Sequence, residues 1–74
     1  MPFHFRLLSP GGAAQPVGSP VEDGPEAIAR AQRLALDFAA KRPELLAPGH
    51  AIEVVDGDGR EFHCERIDSA AKHA

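Results

Sequence analysis

The sequence predicts a small α+β domain with the element order β–β–α–β–β, in which one helix covers one face of an antiparallel sheet of three or four strands. Three observations predict this fold. Apolar and polar residues alternate near both ends of the chain, a capped amphipathic helix pattern lies between them, and 74 residues suffice for a single domain. We assign residues 1–68 to this domain and expect residues 69–74 to form a flexible C-terminal tail.

The first strand is predicted at residues 3–7, because apolar side chains recur there at every second position. Its inward residues are Phe3, Phe5 and Leu7. Proline and paired glycines at residues 9–12 then open a turn. Residues 13–22 contain Pro16 and Pro20, which a central strand would not accommodate. Whether the stretch Pro16–Pro20 forms an edge strand stays open.

A helix is predicted from Pro25 to Arg42. Asp23 is suited to cap it, because its carboxylate can accept a hydrogen bond from a backbone N–H of the first turn. Pro25 fits the first turn, where its missing N–H costs nothing, and Pro43 ends the helix. One side of the helix is apolar and rich in alanine, which favours close packing on the sheet: Ala27, Ile28, Ala31, Leu34, Ala35, Phe38 and Ala39.

The last two strands are predicted as a hairpin of residues 51–55 and 60–67, joined at Asp56–Gly59 by a turn of the Asp-Gly type. On the return strand we expect Phe62 and Cys64 to face inward, and the outward residues to be Glu61, His63 and Glu65. The out-of-phase Ile67 indicates a bulge or a strand end near Glu65 or Arg66. The order of the strands stays open. The predicted core is Phe3, Phe5, Leu7, Ile28, Ala31, Leu34, Ala35, Phe38, Ile52, Val54 and Phe62.

Three pieces of the chain carry a family resemblance: the N-terminal aromatic strand, the Ala/Arg-rich helix at Pro25–Arg42 and the hairpin sequence Ile-Glu-Val-Val-Asp-Gly-Asp-Gly-Arg at residues 52–60. In these pieces the chain resembles a family of short bacterial proteins of unknown function that is frequent in alphaproteobacteria. The resemblance extends from Pro2 to about Ile67. It implies the same α+β fold and transfers no activity, cofactor or site residue.

Composition and charge narrow the classes of function. A net charge of −3, with lysines and arginines scattered along the chain, disfavours nucleic acid as a partner, since such proteins carry a basic surface. No apolar run reaches the length of a membrane span, so we expect no membrane partner and a cytoplasmic location. The single cysteine, Cys64, excludes a disulfide within the chain. We expect no cofactor.

Two groups of residues are candidates for a metal site. Asp56–Gly59 has the acidic and glycine residues of a calcium loop but lacks the later ligands of an EF-hand, so the turn interpretation is favoured. His4 and His63 would share the outer sheet face if the first and last strands were neighbours, with Glu61 or Glu65 beside them. Metal or ligand binding by these histidines is therefore the alternative function.

The first hypothesis for function is a non-enzymatic interaction module, because no catalytic constellation is visible and a core this small favours association. We expect a homodimer, or binding of an unidentified protein partner, through the open sheet face or a sheet edge. The interface candidates are Leu8, Val55, Glu53, Glu61 and His63, with Glu65 on the rim. A nucleic-acid regulator is the weakest hypothesis, since it requires Arg6, Arg60 and Arg66 to converge on one face.

Overall fold

The computed structural model describes residues 2–72. Its elements in chain order are strands β1 (Phe3–Leu8) and β2 (Ala14–Val21), helix α1 (Gly24–Lys41), a 3-10 turn (Pro43–Leu46), strands β3 (Ala51–Val55) and β4 (Glu61–Arg66), and helix α2 (Ile67–Lys72). The predicted α+β class and the β–β–α–β–β order of the first five main elements are confirmed, and α2 is an addition.

The four strands form one antiparallel sheet in the order β2-β1-β3-β4. The first and third strands are thus central, and each hairpin contributes one edge strand. Phe5 lies opposite Val54 and Leu7 opposite Ile52, so their side chains share one face of the sheet. All four are buried, and this face, which we call the inner face, carries the core.

Helix α1 packs on the inner face through a row of alanines. Ala27, Ala31 and Ala35 are fully buried at four-residue spacing, and Ala39 continues the row. Methyl side chains bring the helix axis close to the sheet, while Leu34 and Phe38 pack on the core from a partly exposed position. The larger Ile28 is only half-buried and lies outside the main cluster, contrary to prediction.

The caps of α1 are those that its sequence predicts. The Asp23 carboxylate accepts a hydrogen bond from the Glu26 backbone N–H at 2.9 Å, and Pro25 occupies the first turn. At the other end, the backbone N–H of Arg42 donates to the Phe38 carbonyl before Pro43 starts the 3-10 turn. That turn buries Leu45, a core residue that sequence patterning missed.

The proline-rich stretch forms the edge strand β2 over its full length. Its pairing with β1 shifts between Phe3 and Phe5, where Gly18 takes a positive φ of 68° within an irregular stretch. An edge position tolerates both prolines, because one side of the strand needs no hydrogen-bonding partner. Val21 at the end of β2 is buried, which adds a second unpredicted core residue.

The predicted orientation of β4 is wrong beyond its first residues. His63 lies opposite Val54 and Glu65 opposite Ile52, so both share the inner face, whereas Cys64 lies opposite Glu53 on the other side. The strand ends at Arg66, one of the two alternatives that the out-of-phase Ile67 predicted, and the register shift lies between Glu61 and His63. Phe62 is the extra residue of this bulge and is 45 % exposed, so it is not a core residue.

Residues 69–72, which we expected to belong to a flexible tail, lie in α2. The backbone N–H of Ile67 donates to the His50 carbonyl at 3.2 Å, and the Ile67 side chain is fully buried. Ala70 and Ala71 pack against the core beside α1. The predicted tail residues 73 and 74 lie outside the described residues.

Candidate interaction surface

The candidate functional surface is the sheet face opposite α1, which we call the outer face. Strand alternation places His4, Arg6 and Leu8 on it, and the observed pairing adds residues from the other three strands. The helices and the 3-10 turn contribute their buried side chains to the core on the inner face. The outer face consists of His4, Arg6, Leu8, Ala14, Pro16, Ala51, Glu53, Val55, Glu61, Cys64 and Arg66.

An ion pair between Arg6 and Glu53 lies at the centre of the outer face. The Arg6 Nε donates to Glu53 Oε1 at 2.8 Å, and the Arg6 Nη2 donates to the same oxygen. The Glu53 side chain is 12 % exposed and that of Arg6 41 % exposed. The two residues lie directly opposite each other on the central strands. Such a shielded pair fixes the orientation of both side chains on the face.

The apolar residues of the outer face are more shielded than the sequence suggested. Leu8 and Val55 do share this face, but Val55 on the central strand β3 is only 8 % exposed. Ala51 and Glu53 on the same strand are similarly shielded. Leu8 is half-buried beside the exposed Ala14 and therefore offers more contact surface than Val55.

Cys64 is a free, exposed thiol on the outer face. Partial desolvation raises its pKa, and the Glu61, Glu53 and Glu65 carboxylates raise that pKa further because they disfavour a thiolate. A raised pKa lowers the thiolate fraction at neutral pH, and the thiolate is the reactive form. Cys64 therefore lacks the environment of a catalytic nucleophile. The sequence predicted an inward-facing Cys64, because its alternation does not show the bulge at Phe62 that turns this side chain outward.

The histidines proposed as a pair lie on opposite faces. His4 lies opposite Val55 on the outer face, while His63 faces inward, where its Nε2 lies 3.0 Å from Glu65 Oε1. The shared outer face on which the metal-binding alternative depended is therefore absent, and His63 and Glu65 leave the set of outer-face candidates. Within residues 2–72 no three His, Cys, Asp or Glu side chains gather as possible metal ligands.

The Asp56–Gly59 segment is a turn, as predicted. The Asp56 Oδ1 accepts hydrogen bonds from the backbone N–H groups of Asp58 at 2.9 Å and Arg60 at 3.0 Å. Gly59 has a positive φ of 81°, a value that glycine adopts without strain. The Asp56 carboxylate thus holds the turn through these hydrogen bonds, which is the role that the Asp-Gly pattern predicts.

Two of the three arginines that a nucleic-acid surface would require are paired with carboxylates. Arg6 is paired with Glu53, and Arg66 donates to Asp68 Oδ2 at 2.9 Å. That hydrogen bond holds the pKa of Asp68 below its usual value. A shallow depression of about 200 Å³ beside Arg30 and Arg33 is lined by residues of α1 alone, so it is helix surface and not a cleft between elements.

The two sheet edges differ in their capacity to pair with another strand. Edge strand β2 carries Pro16 and Pro20, and proline has no N–H to donate to a neighbour. Edge strand β4 carries no proline and begins with the bulge at Phe62. The largest exposed apolar side chains of the described residues, Leu36, Leu46 and Phe62, do not lie on the outer face.

Among residues 2–72, no helix combines the length and apolar character that a membrane crossing requires. Comparison of the chain with protein-family models, with curated proteins and with solved structures finds no match. The resemblance to an alphaproteobacterial family of unknown function therefore stays a prediction. A function for this chain can be inferred from its fold and its surfaces.

Proposed function

We propose that this protein is a non-enzymatic interaction module that binds a second copy of itself through the outer face. The observation that supports this proposal most directly is that, within residues 2–72, α1 and α2 both pack on the inner face of the four-stranded sheet. Small sheet proteins commonly bury a second face by association, because a short chain gains little stability from its own core.

The charges of the outer face favour a second copy as the occupant. The chain carries a net charge of −3, whereas its outer face contains the acidic residues Glu53 and Glu61 and the basic residues Arg6 and Arg66. Two copies can therefore approach through this face without the repulsion that the rest of the surface would produce. A two-fold interface on this face is complementary to itself when its axis brings unlike charges of the two copies together.

The size of the face implies a weak dimer. Four strands about 4.8 Å apart and about 20 Å long offer a footprint on the order of 400 Å² per copy. Stable interfaces bury about 800 Å² per partner, so we expect a transient dimer that forms in the micromolar range or above. The exposed thiol of Cys64 fits a reducing compartment, and the proposal accordingly places the protein in the cytoplasm.

Sedimentation equilibrium and light scattering over micromolar to submillimolar concentrations test the proposal. We expect the apparent mass to rise from the 7.9 kDa of one chain toward twice that value. Leu8→Glu adds a charge to the outer face and should weaken association at least tenfold. The matched control Leu36→Glu changes an exposed leucine on α1 and should leave association unchanged.

Two results would overturn the proposal. One is a constant monomer mass up to submillimolar concentration for a chain that remains folded by circular dichroism. The other is association that Leu36→Glu weakens as much as Leu8→Glu does, because the contact would then involve the helical side of the domain. Unfolding curves of both variants establish that a loss of association is not a loss of fold.

A further inference from the structure

We infer that the two copies are related by a two-fold axis that runs along the strands between β1 and β3, so that Cys64 of one copy faces Pro16 of the other. This inference deepens the proposed function and rests on it. It concerns the arrangement of the dimer, which the pattern of charges on the outer face determines.

One row of outer-face residues crosses all four strands at the same level. Pro16 lies opposite Arg6, Arg6 opposite Glu53, and Glu53 opposite Cys64. The row therefore reads Pro16, Arg6, Glu53, Cys64 from the β2 edge to the β4 edge. The neighbouring row of outer-face residues lies two residues along each strand and reads Ala14, Leu8, Ala51, Arg66.

Aligned packing of two sheets allows two orientations of the axis. Packed sheets keep their strand directions within about 30° of each other, so the two-fold axis lies close to the strand direction or close to the perpendicular within the sheet plane. An axis across the strands, centred on the first row, places Arg6 opposite Arg6 of the partner and Glu53 opposite Glu53. An axis along the strands exchanges the two central columns and places each Arg6 opposite the partner's Glu53.

Electrostatics favours the axis along the strands over an axis across them that is centred on the first row. Like charges brought together in an interface from which water is excluded repel strongly, whereas alternating charges attract. With the axis along the strands, the two Arg6–Glu53 pairs form a neutral cluster of four charges at the centre of the dimer. Each guanidinium is then flanked by two carboxylates, because its own Glu53 partner is retained.

The same axis determines which residues of the partner face the edge strands β2 and β4. It exchanges β2 with β4, so Cys64 comes to lie over Pro16 of the partner and Arg66 over Ala14. The two Cys64 thiols are separated by three strand spacings, about 14 Å, within the plane alone. Pairing of two β4 edges would instead bring these thiols together, because the two-fold axis would then pass beside β4.

Thiol crosslinking distinguishes the arrangements. Copper–phenanthroline oxidation, which joins two thiols into a disulfide only when they can come into direct contact, is applied at a concentration where sedimentation shows a dimer. Pro16→Cys in the chain that retains Cys64 should give a crosslinked dimer in severalfold greater yield than the unmodified chain. Peptide mapping should locate the link between positions 16 and 64 of different chains.

Matched variants separate the position of the link from the presence of thiols. Pro16→Cys combined with Cys64→Ser carries one thiol per chain and should give little crosslinked dimer. The two copies of position 16 are as far apart in the dimer as the two copies of position 64. Ala14→Cys with Arg66→Cys and Cys64→Ser tests the neighbouring row and should again crosslink between chains. This second pair keeps the inference testable if Pro16→Cys disturbs β2.

The outcomes distinguish this inference from the proposed function. A sedimenting dimer without links between 16 and 64 or between 14 and 66 would overturn the orientation and leave self-association intact. Efficient links both between two Cys64 thiols and between two positions 16 would show an axis across the strands and overturn the orientation alone. A link between two Cys64 thiols without one between two positions 16 would show pairing of β4 edges and overturn both. A constant monomer mass in sedimentation would overturn the proposed function and, with it, this inference.

Discussion

The ring of Phe62 stacks on the ring of Phe3, with their centroids 4.6 Å apart and their planes tilted by 40°. The two residues belong to strands that do not pair, because β3 lies between β1 and β4. They meet because the pairing of β1 with β3 covers His4 and Val55 but does not include Phe3, the residue that precedes His4. The bulge at Phe62 then directs its ring past the end of β3.

This contact closes the end of the core near the start of α1. A Cβ added at Gly24 would lie 3.1 Å from Phe62 Cζ, so the glycine lets the ring approach the first turn of the helix. The half-exposed Phe62 thereby joins an edge strand to the first strand and to the helix. Its position explains why an aromatic residue that is not buried is nevertheless part of the packing.

Phe62→Ala is expected to destabilise the domain by about 1–2 kcal/mol, since an aromatic pair contributes about 0.5–1.5 kcal/mol beyond its burial. Phe5→Ala, at a position that is 2 % exposed, should cost about 3–5 kcal/mol. Urea unfolding of both variants measures the difference, with Leu46→Ala as an exposed control. Equal losses for Phe62→Ala and Phe5→Ala would show that Phe62 is a core residue, as the sequence pattern predicted.

The Arg6–Glu53 pair should show a coupling energy of about 1–2 kcal/mol. This value lies between the 0–1 kcal/mol of exposed pairs and the 3–5 kcal/mol lost when a buried pair is broken, because Glu53 is shielded and Arg6 is partly exposed. A double-mutant cycle with Arg6→Gln and Glu53→Gln, measured by unfolding at monomeric concentrations, gives the coupling. Additive effects of the two substitutions would mean that the pair contributes nothing to stability.

The alanine row of α1 is expected to reject larger side chains. Ala31 is fully buried against the sheet, so Ala31→Leu should overpack the contact and cost about 1–3 kcal/mol. Ala29 is exposed on the same helix, and Ala29→Leu should change stability by less than about 0.5 kcal/mol. Thermal and urea unfolding compare the two variants. The helix propensities of alanine and leucine are similar, so a difference reports packing on the sheet.

The thiol of Cys64 is expected to react slowly despite its exposure. Because its pKa is raised in the folded chain, its alkylation by iodoacetamide at pH 8 should be slower than in the urea-unfolded chain. The rate should keep rising with pH above the usual thiol range. Glu61→Gln removes one of the carboxylates that raise the pKa and should speed the reaction, whereas Glu22→Gln should not. Identical rates for the folded and unfolded chains would contradict the assigned environment.

Local patterns predicted most of the elements. The alternation at Phe3–Leu7, the cap at Asp23, the stop at Pro43 and the Asp-Gly turn all depend on neighbours within a few residues. Such interactions are encoded where they act, so the first strand, the helix and the hairpin could be assigned from the chain alone. The alanines of α1 likewise indicated a close contact between helix and sheet.

Contacts between distant residues decided the rest. The order β2-β1-β3-β4, the pairing of Arg6 with Glu53 and the meeting of Phe62 with Phe3 each join residues that are far apart in the chain. The bulge at Phe62 reverses the faces of His63, Cys64 and Glu65, because a single extra residue shifts a strand of period two by one position. Only the tertiary structure placed the bulge, since its position follows from how β4 pairs with β3 and packs beside α1.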